Sequence, residues 1–527
     1  MSFLLHHAID ESAERLADQE AFRFQGRGLT YGQLVERSNQ LAHTLLDQGV
    51  GAGDRVGIYM LKGLEMPVAL YGILKAGGAY VPVDPSAPPS RIQAILEDCG
   101  IRHLVTDESR AARAMDLAAS TATLECIIAP GPDGVGKGTR VVSWCEVETA
   151  KDSDPQIRVT EDDLAYIMYT SGSTGVPKGL MHTHRSGSSY AHMSARTYSV
   201  TCDDRLGNHS PLHFDMSTFE YLTGPLCGAT TVIIPEEATL FPINLSELIE
   251  RERLTFWYSV PLALIQLLTR GQIERYDASS LRWVLFGGEP FPPKYLWRLM
   301  ELWPQARFSN SYGPAEVNQC TFYHVPREDM GSQEPFPIGP VWDGAEGLIV
   351  DASDQPAAPG TEGELLIRAP TMMRGYWARP DLDREAFFIK QPWADDRRKF
   401  YRTGDLVRER EDGNLLFLGR KDRQIKVRGY RVELDEIENV LGGLEEVAEA
   451  AAVAVLTGEG ETTILAAVSP ISSSGCDPNE VRRRSAERLP PYAVPQKIEV
   501  IDRFPRTGSG KIDRPALAEQ LKRLVSS

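Results

Sequence analysis

Short apolar runs that break off into glycine- and serine-rich loops restrict this chain's fold more than any other feature. Residues 164–170, 229–234, 254–260, 282–287 and 306–310 each have the length and composition of a buried strand. The first runs directly into SGSTGVPKG (171–179), the fourth into GGEPF (287–291) and the fifth into SYGPAE (311–316). Helical patterns lie between such runs. Thr30-Tyr31-Gly32-Gln33 reads as a capping box opening a helix with Leu34, Leu41 and Leu45 on one face. A strand pattern at 54–60, a helix at 63–76 stopped by Gly77-Gly78, and a strand at 80–83 follow. Strand–helix–strand order predicts an α/β fold: a large domain of helix-covered, mainly parallel sheets. Ligands of such sheets bind beyond the carboxyl ends of the strands, where the unusual loops are.

The character changes near residue 422. Asp412-Gly413 predicts a hairpin joining 406–410 to 415–419. Beyond GRKD (419–422) come strand patterns near 447–456, 462–468 and 497–501 and a charged helix near 477–488. This divides the chain into a core domain, 1–421, and a small α+β domain, 422–527, with a hinge at Asp422.

Bulk properties exclude several classes. With 56 Lys+Arg against 73 Asp+Glu the net charge is −17, which speaks against a broad nucleic-acid surface. No run reaches the ~18–20 apolar residues of a membrane helix, and the N-terminus lacks the basic and apolar regions of a signal peptide. The seven cysteines are scattered without a CxxC pair, as expected of reduced thiols in a cytoplasmic protein. His182 and His184 flank Thr183, but no HExxH or Cys/His set accompanies them.

The densest chemical signal is Thr170-Ser171-Gly172-Ser173-Thr174-Gly175, continuing to Lys178. Small residues leave backbone N–H groups open, the hydroxyls add donors and Lys178 adds a charge, so the loop suits a polyphosphate. A Walker-like string, Gly131 to Gly138, has Gly138 where the motif needs a magnesium-binding hydroxyl after its lysine, and reads as a plain loop.

Ten ordered motifs then show a resemblance. They are LTYGQL (29–34), LKAGGAYVPVD (74–84), the Lys178 loop, HFDMS (213–217), NSYGPAE (310–316), GELLIRAPTMMRGYW (363–377), YRTGDL (401–406), GRKDRQIKVRGYRVELDEIE (419–438), LPPYAVP (489–495) and GSGKIDR (508–514). Together they resemble the adenylate-forming superfamily of acyl-CoA synthetases, luciferases and nonribosomal-peptide adenylation domains, nearly end to end.

The resemblance implies an ATP-dependent, AMP-forming acid–thiol ligase using ATP and Mg2+. Asp405 would take the ribose hydroxyls, Tyr312 would stack on adenine, Glu316 would hold magnesium and Arg420 would contact the nucleotide. Gly288, Glu289, Asn310, Ser311 and Gly313 would line the nucleotide site with the 170–175 loop. Lys178 and Lys511 would be catalytic, Lys511 bridging the substrate carboxylate and the α-phosphate as charge spreads in the transition state. Lys511 sits in the small domain, so adenylation requires closure about Asp422. A second closure would turn Gly429, in the KVRGYR turn, toward the site; a plain hairpin glycine reads equally well. Two positions depart from the pattern. Ala315 replaces the usual Thr, removing a phosphate contact, and Asp435 replaces a Gly.

Asp215 narrows the acid. In amino-acid-activating members an aspartate here pairs with the α-ammonium, whereas a plain acid would leave it unpaired. The matched pocket comprises Met216, Phe219, Tyr258, Leu285, Gly287, Ser311, Gln319 and Cys320. It resembles that of stand-alone proline-activating ligases. Ser311 and Gln319 are more polar than proline needs, and leave a hydrogen bond to a substrate hydroxyl or amide, or to protein backbone, as alternatives. The expectation is L-proline or a cyclic relative, with a small polar amino acid next. The chain ends thirteen residues after Arg514, so the expected acceptor is the phosphopantetheine of a separate carrier protein, with neither nucleic acid nor membrane as partner. The competing readings are a coenzyme-A ligase, which Asp215 opposes, and a nucleotide-binding scaffold without turnover.

Overall fold

A computed structural model describes residues 3–525 apart from 132–133, 137, 173–175, 394–395, 457–460, 472–475 and 508–511. The chain divides into two compact units. The larger comprises Met1–Pro85, Leu96–Tyr169 and Gly179–Lys421; the smaller comprises Ser86–Ile95, Thr170–Lys178 and Asp422–Ser527.

Among the described residues, two large sheets organise the chain, one of nine strands and one of eight. In the nine-stranded sheet, Leu164–Thr170, Ala79–Pro82, Arg55–Tyr59, His103–Thr106, Cys126–Ala129 and Thr139–Ser143 follow in order, paired parallel. The eight-stranded sheet runs Thr321–His324, Arg307–Tyr312, Trp283–Gly287, Phe256–Ser259, Arg205–Asn208, Thr230–Ile233, Glu20–Phe24 and Arg27–Thr30. Only its two outer pairs are antiparallel. Buried on both faces, these strands carry the near-continuous apolar runs seen in the sequence.

The helix Tyr31–Asp47 starts where the capping box predicts. Thr30 Oγ1 accepts from Gln33 N at 3.2 Å, and Gln33 Oε1 accepts from Thr30 N at 3.1 Å. Leu34, Leu41 and Leu45 are fully buried, each contributing about 2 kcal/mol relative to exposure. The helix Glu65–Lys75 ends with Gly77 at φ +81, the left-handed stop that a glycine adopts without strain.

A third sheet of the large unit is antiparallel, and parallel-sheet reasoning does not reach it. Glu346–Val350, Glu362–Arg368, Asp396–Glu409 and Phe387–Trp393 lie in that order, and Leu415–Arg420 returns along Asp396–Glu409 through the Asp412-Gly413 turn. The Walker-like string contributes a short strand, Gly134–Gly136, antiparallel to Thr139–Ser143, and Lys137 lies outside the described residues.

In the small unit, Gln424–Val427 and Tyr430–Glu433 form a hairpin. Arg428 at φ +52 and Gly429 at φ +83 make its two-residue turn, the left-handed pair that matches strand twist. Val447–Leu456, Thr462–Pro470 and Lys497–Val500 form a sheet whose core takes Ile437, Leu441, Val468 and Ile498. Asp435 acquires a structural reading. It opens the helix Leu434–Gly442 and pairs with Arg423, which also holds Glu438 at 2.7 Å.

Candidate active site

The parallel strands Phe256–Ser259, Trp283–Gly287 and Arg307–Tyr312 run side by side, with Tyr258 opposite Leu285 and Gly287 opposite Ser311. Their carboxyl ends therefore present Tyr258, Leu285, Gly287 and Ser311 together. Phe214 breaks into a turn of 3-10 helix, Asp215–Ser217, followed by one π turn, Phe219–Thr223. Met216, Phe219, Tyr258, Leu285 and Cys320 belong to one apolar cluster with Tyr198, Phe256 and Trp283. Tyr258 stands edge-on to Phe219 at 5.8 Å. Asp215 is half-buried and acts electrostatically on Tyr258 and Tyr166, whose phenols burial already pushes up. The structure thus brings an aspartate within electrostatic reach of this apolar cluster.

Ser311 and Gln319 are buried, and each finds a side-chain partner. Gln319 Nε2 donates to the Tyr198 hydroxyl at 2.9 Å and to Ser311 Oγ at 3.3 Å, and the two hydroxyls are 3.0 Å apart. Neither alternative from the sequence, substrate or backbone, anticipates this closed triangle.

Asp405 lies on the third sheet directly opposite Arg420. Its Oδ1 accepts from Arg420 Nη1 at 2.6 Å and its Oδ2 from the Tyr312 hydroxyl at 2.5 Å. Burial pushes the Tyr312 phenol well up, so it stays a donor. The three residues assigned to ribose, adenine and nucleotide thus form one connected group. Asn310 turns elsewhere, its Nδ2 donating to Pro337 O at 2.9 Å.

After Tyr312 the chain doubles back so tightly that a Cβ on Gly313 would sit 1.6 Å from Asn318 O. Cys320 N closes the turn on Tyr312 O at 2.9 Å. Burial pushes the Cys320 thiol up, leaving it neutral. Glu316 is wholly buried inside this turn and accepts from the Tyr376 hydroxyl at 3.0 Å. His182, stacked on Tyr166, donates through Nε2 to Ala315 O at 3.1 Å; burial lowers its pKa to about 4. Position 315, short of a hydroxyl, is therefore held through its backbone. Gly288, at φ +89, and Glu289 are half-buried just past Trp283–Gly287.

Within the small unit, Ser171 Oγ donates to Arg431 O at 2.9 Å, Gly172 is buried, and Lys178 opens the strand Lys178–Thr183. Thr170 closes the strand Leu164–Thr170. Asp422 Oδ1 accepts from Gln424 N at 3.2 Å. Ser173, Thr174, Gly175 and Lys511 lie outside the described residues.

Sequence reasoning passed over three buried groups. Tyr198 is in no motif. Lys62 Nζ, with burial lowering its pKa to about 8, donates to Asn208 O at 3.2 Å and His209 O at 2.5 Å. Glu220, which burial raises to about 8, accepts from Asn208 Nδ2 at 3.3 Å. Lys62 and Glu220 thus brace both flanks of the segment carrying Asp215. A lysine after MetLeu and a glutamate after Phe219 carry no pattern that would single them out. No group of three or more His, Cys, Asp or Glu suited to a metal, and no helix long and apolar enough to cross a membrane, is present among the described residues.

The L-proline–[L-prolyl-carrier protein] ligase of Pseudomonas fluorescens is 34% identical over 524 residues, 98% of this chain and 99% of that protein. The Streptomyces coelicolor ligase of the same name is 37% identical over 492 residues, 92% and 91% of the two chains. A Vibrio cholerae adenylation domain solved with glycyl-adenosine-5′-phosphate superimposes with a TM-score of 0.85 at 25% identity, covering 99% of this chain and 98% of that one. Residues 9–377 match the AMP-binding enzyme family and residues 436–511 its C-terminal domain. The chain belongs to the AMP-binding enzyme family.

Proposed function

We propose that this ATP-dependent, AMP-forming ligase activates an amino acid, L-proline or a close cyclic relative, and transfers it to the phosphopantetheine thiol of a separate carrier protein. The observation that carries the reading is Asp215 set beside the apolar cluster of Met216, Phe219, Tyr258, Leu285 and Cys320. A carboxylate beside a compact apolar pocket suits a zwitterion with a small apolar side chain. The two relatives named as prolyl-carrier protein ligases support the same choice. The Ser311–Gln319–Tyr198 triangle satisfies the groups that would otherwise favour a polar side chain.

An oxygen of the amino-acid carboxylate attacks the α-phosphorus of ATP, the bond to the β,γ-diphosphate breaks, and pyrophosphate leaves. The thiolate sulfur then attacks the aminoacyl carbonyl, a thioester forms and AMP departs. In this reading Asp405 accepts the ribose hydroxyls, with Arg420 and Tyr312 holding its carboxylate in place, and the Tyr312 ring packs on adenine. Gly288, Glu289, Asn310, Ser311 and Gly313 border the nucleotide. The Thr170–Gly175 loop and Lys178 take the phosphates. Lys511 bridges the attacking carboxylate and the α-phosphate, carried there by motion about Asp422. Magnesium binds one or two carboxylates and completes its shell with phosphate and water oxygens. The buried carboxylate of Glu316, which accepts from Tyr376, would hold it. When bound, the ion neutralises polyphosphate charge. We place the reaction in the cytoplasm, where ATP is available and the seven cysteines stay reduced.

Carrier loading tests the proposal. Incubated with ATP, Mg2+, L-proline and a phosphopantetheinylated carrier protein, the enzyme should add one prolyl mass to the carrier, measured by intact-protein mass spectrometry. Loading of coenzyme A instead, with the carrier left unmodified, contradicts the assigned acceptor.

A further inference from the structure

We propose that Tyr198 is a specificity-determining positioning residue: its hydroxyl ties Ser311 and Gln319 to one another, so the amide hydrogens of Gln319 are taken by protein oxygens and are not offered to the substrate. The inference rests on the amino-acid reading above.

Tyr198 ends the helix His184–Tyr198, which Ser199 terminates in the left-handed conformation at φ +51. It is fully buried. Its ring is wedged edge-on between Phe219, with centroids 5.9 Å apart, and Trp283, 5.3 Å away. A ring gripped from two sides places its hydroxyl without rotamer freedom. That hydroxyl meets Gln319 Nε2 at 2.9 Å and Ser311 Oγ at 3.0 Å, while the same nitrogen reaches Ser311 Oγ at 3.3 Å. A carboxamide nitrogen has two hydrogens, and two protein oxygens take them. Ser309, on the same strand face as Ser311, is met by His324 Nδ1 at 3.1 Å. Burial keeps the phenol protonated throughout.

The oxygen of a substrate hydroxyl placed here would find both amide hydrogens already committed, and would have no amide donor to replace the water it loses. Proline loses nothing by that arrangement. Removing only the Tyr198 oxygen releases one amide hydrogen toward the pocket.

The test compares kcat/KM in pyrophosphate exchange for L-proline, 4-hydroxy-L-proline and L-threonine, in wild type, Tyr198→Phe, Gln319→Leu and the double variant. Tyr198→Phe should raise the ratio of polar substrate to proline roughly 10-fold or more, the scale of one buried hydrogen bond gained or lost. The change should lie in the amino-acid KM, with the KM for ATP unmoved. In the Gln319→Leu background the same substitution should leave the ratio where it was, because no amide remains to release. A purely structural tyrosine would lower every kcat/KM by a common factor, and an unchanged ratio in Tyr198→Phe overturns the inference. Should that variant not fold, Ser311→Ala opens the triangle from another corner, and an unchanged ratio there overturns it equally. A wild type that turns over no amino acid fails the underlying reading instead, which separates the two failures.

Discussion

The hydroxyl of Tyr312 donates to Oδ2 of Asp405 at 2.5 Å. Because Arg420 occupies Oδ1 at 2.6 Å, the carboxylate proposed to take ribose is fixed by protein on both oxygens. Asp405→Asn removes the charge and leaves Arg420 facing a neutral amide. Breaking a buried pair costs ~3–5 kcal/mol; with Arg420 16% exposed, the loss should fall at the lower end. Urea unfolding should show that loss, and the KM for ATP should rise far more than that for the amino acid. Wild-type stability and an unmoved ATP KM would detach Asp405 from the nucleotide.

Asp215→Ala should raise the amino-acid KM roughly 10- to 150-fold, the scale of a hydrogen bond to a charged group, with the KM for ATP held. An unchanged amino-acid KM removes the ammonium assignment. A plain carboxylic acid that becomes a better substrate of the variant than the amino acid would strengthen it.

Glu220 makes stability depend on pH. Burial raises its pKa from 4.5 to about 8, so between those values the folded state binds more protons than the unfolded one. Stability from this group is present below pH 4.5 and is lost as pH rises to 8. At about 1.4 kcal/mol per unit the loss is on the order of 5 kcal/mol. The buried histidines run the other way: His182 and His184, lowered to about 4, and His209, lowered to about 3, cost stability as pH falls below 6.5. The wild-type minus Glu220→Gln difference in unfolding free energy isolates the carboxyl, and it should shift against the wild type between pH 5 and pH 8. A flat difference contradicts the burial account.

Lys511→Ala should reduce adenylate formation by orders of magnitude while sparing thiol transfer from preformed prolyl-adenylate, followed as carrier loading. Equal losses in the two half-reactions would contradict a lysine that bridges carboxylate and α-phosphate.

The sequence made some features legible because their signals are local. The capping box at Thr30 needs four residues, and the Asp412-Gly413 hairpin needs a turn between two apolar runs. Tyr312, Asp405 and Arg420 were legible through motifs, yet their hydrogen bonding was not. It depends on Asp405 falling opposite Arg420 in an antiparallel sheet that carries no parallel-strand pattern. Tyr198 lies 113 residues before Ser311 and meets it only because a helix end is packed against that strand. Asp435, without a reading in the sequence, owes its place to Arg423, twelve residues earlier across a hairpin. Long-range partners of this kind leave no periodicity behind.

Amino-acid-dependent exchange of labelled pyrophosphate into ATP, run across the proteinogenic amino acids with the full chain and Mg2+, tests the central claim most directly. The account predicts exchange that requires an amino acid and is strongest with L-proline. Exchange with none of them, under conditions where ATP binds, would contradict it.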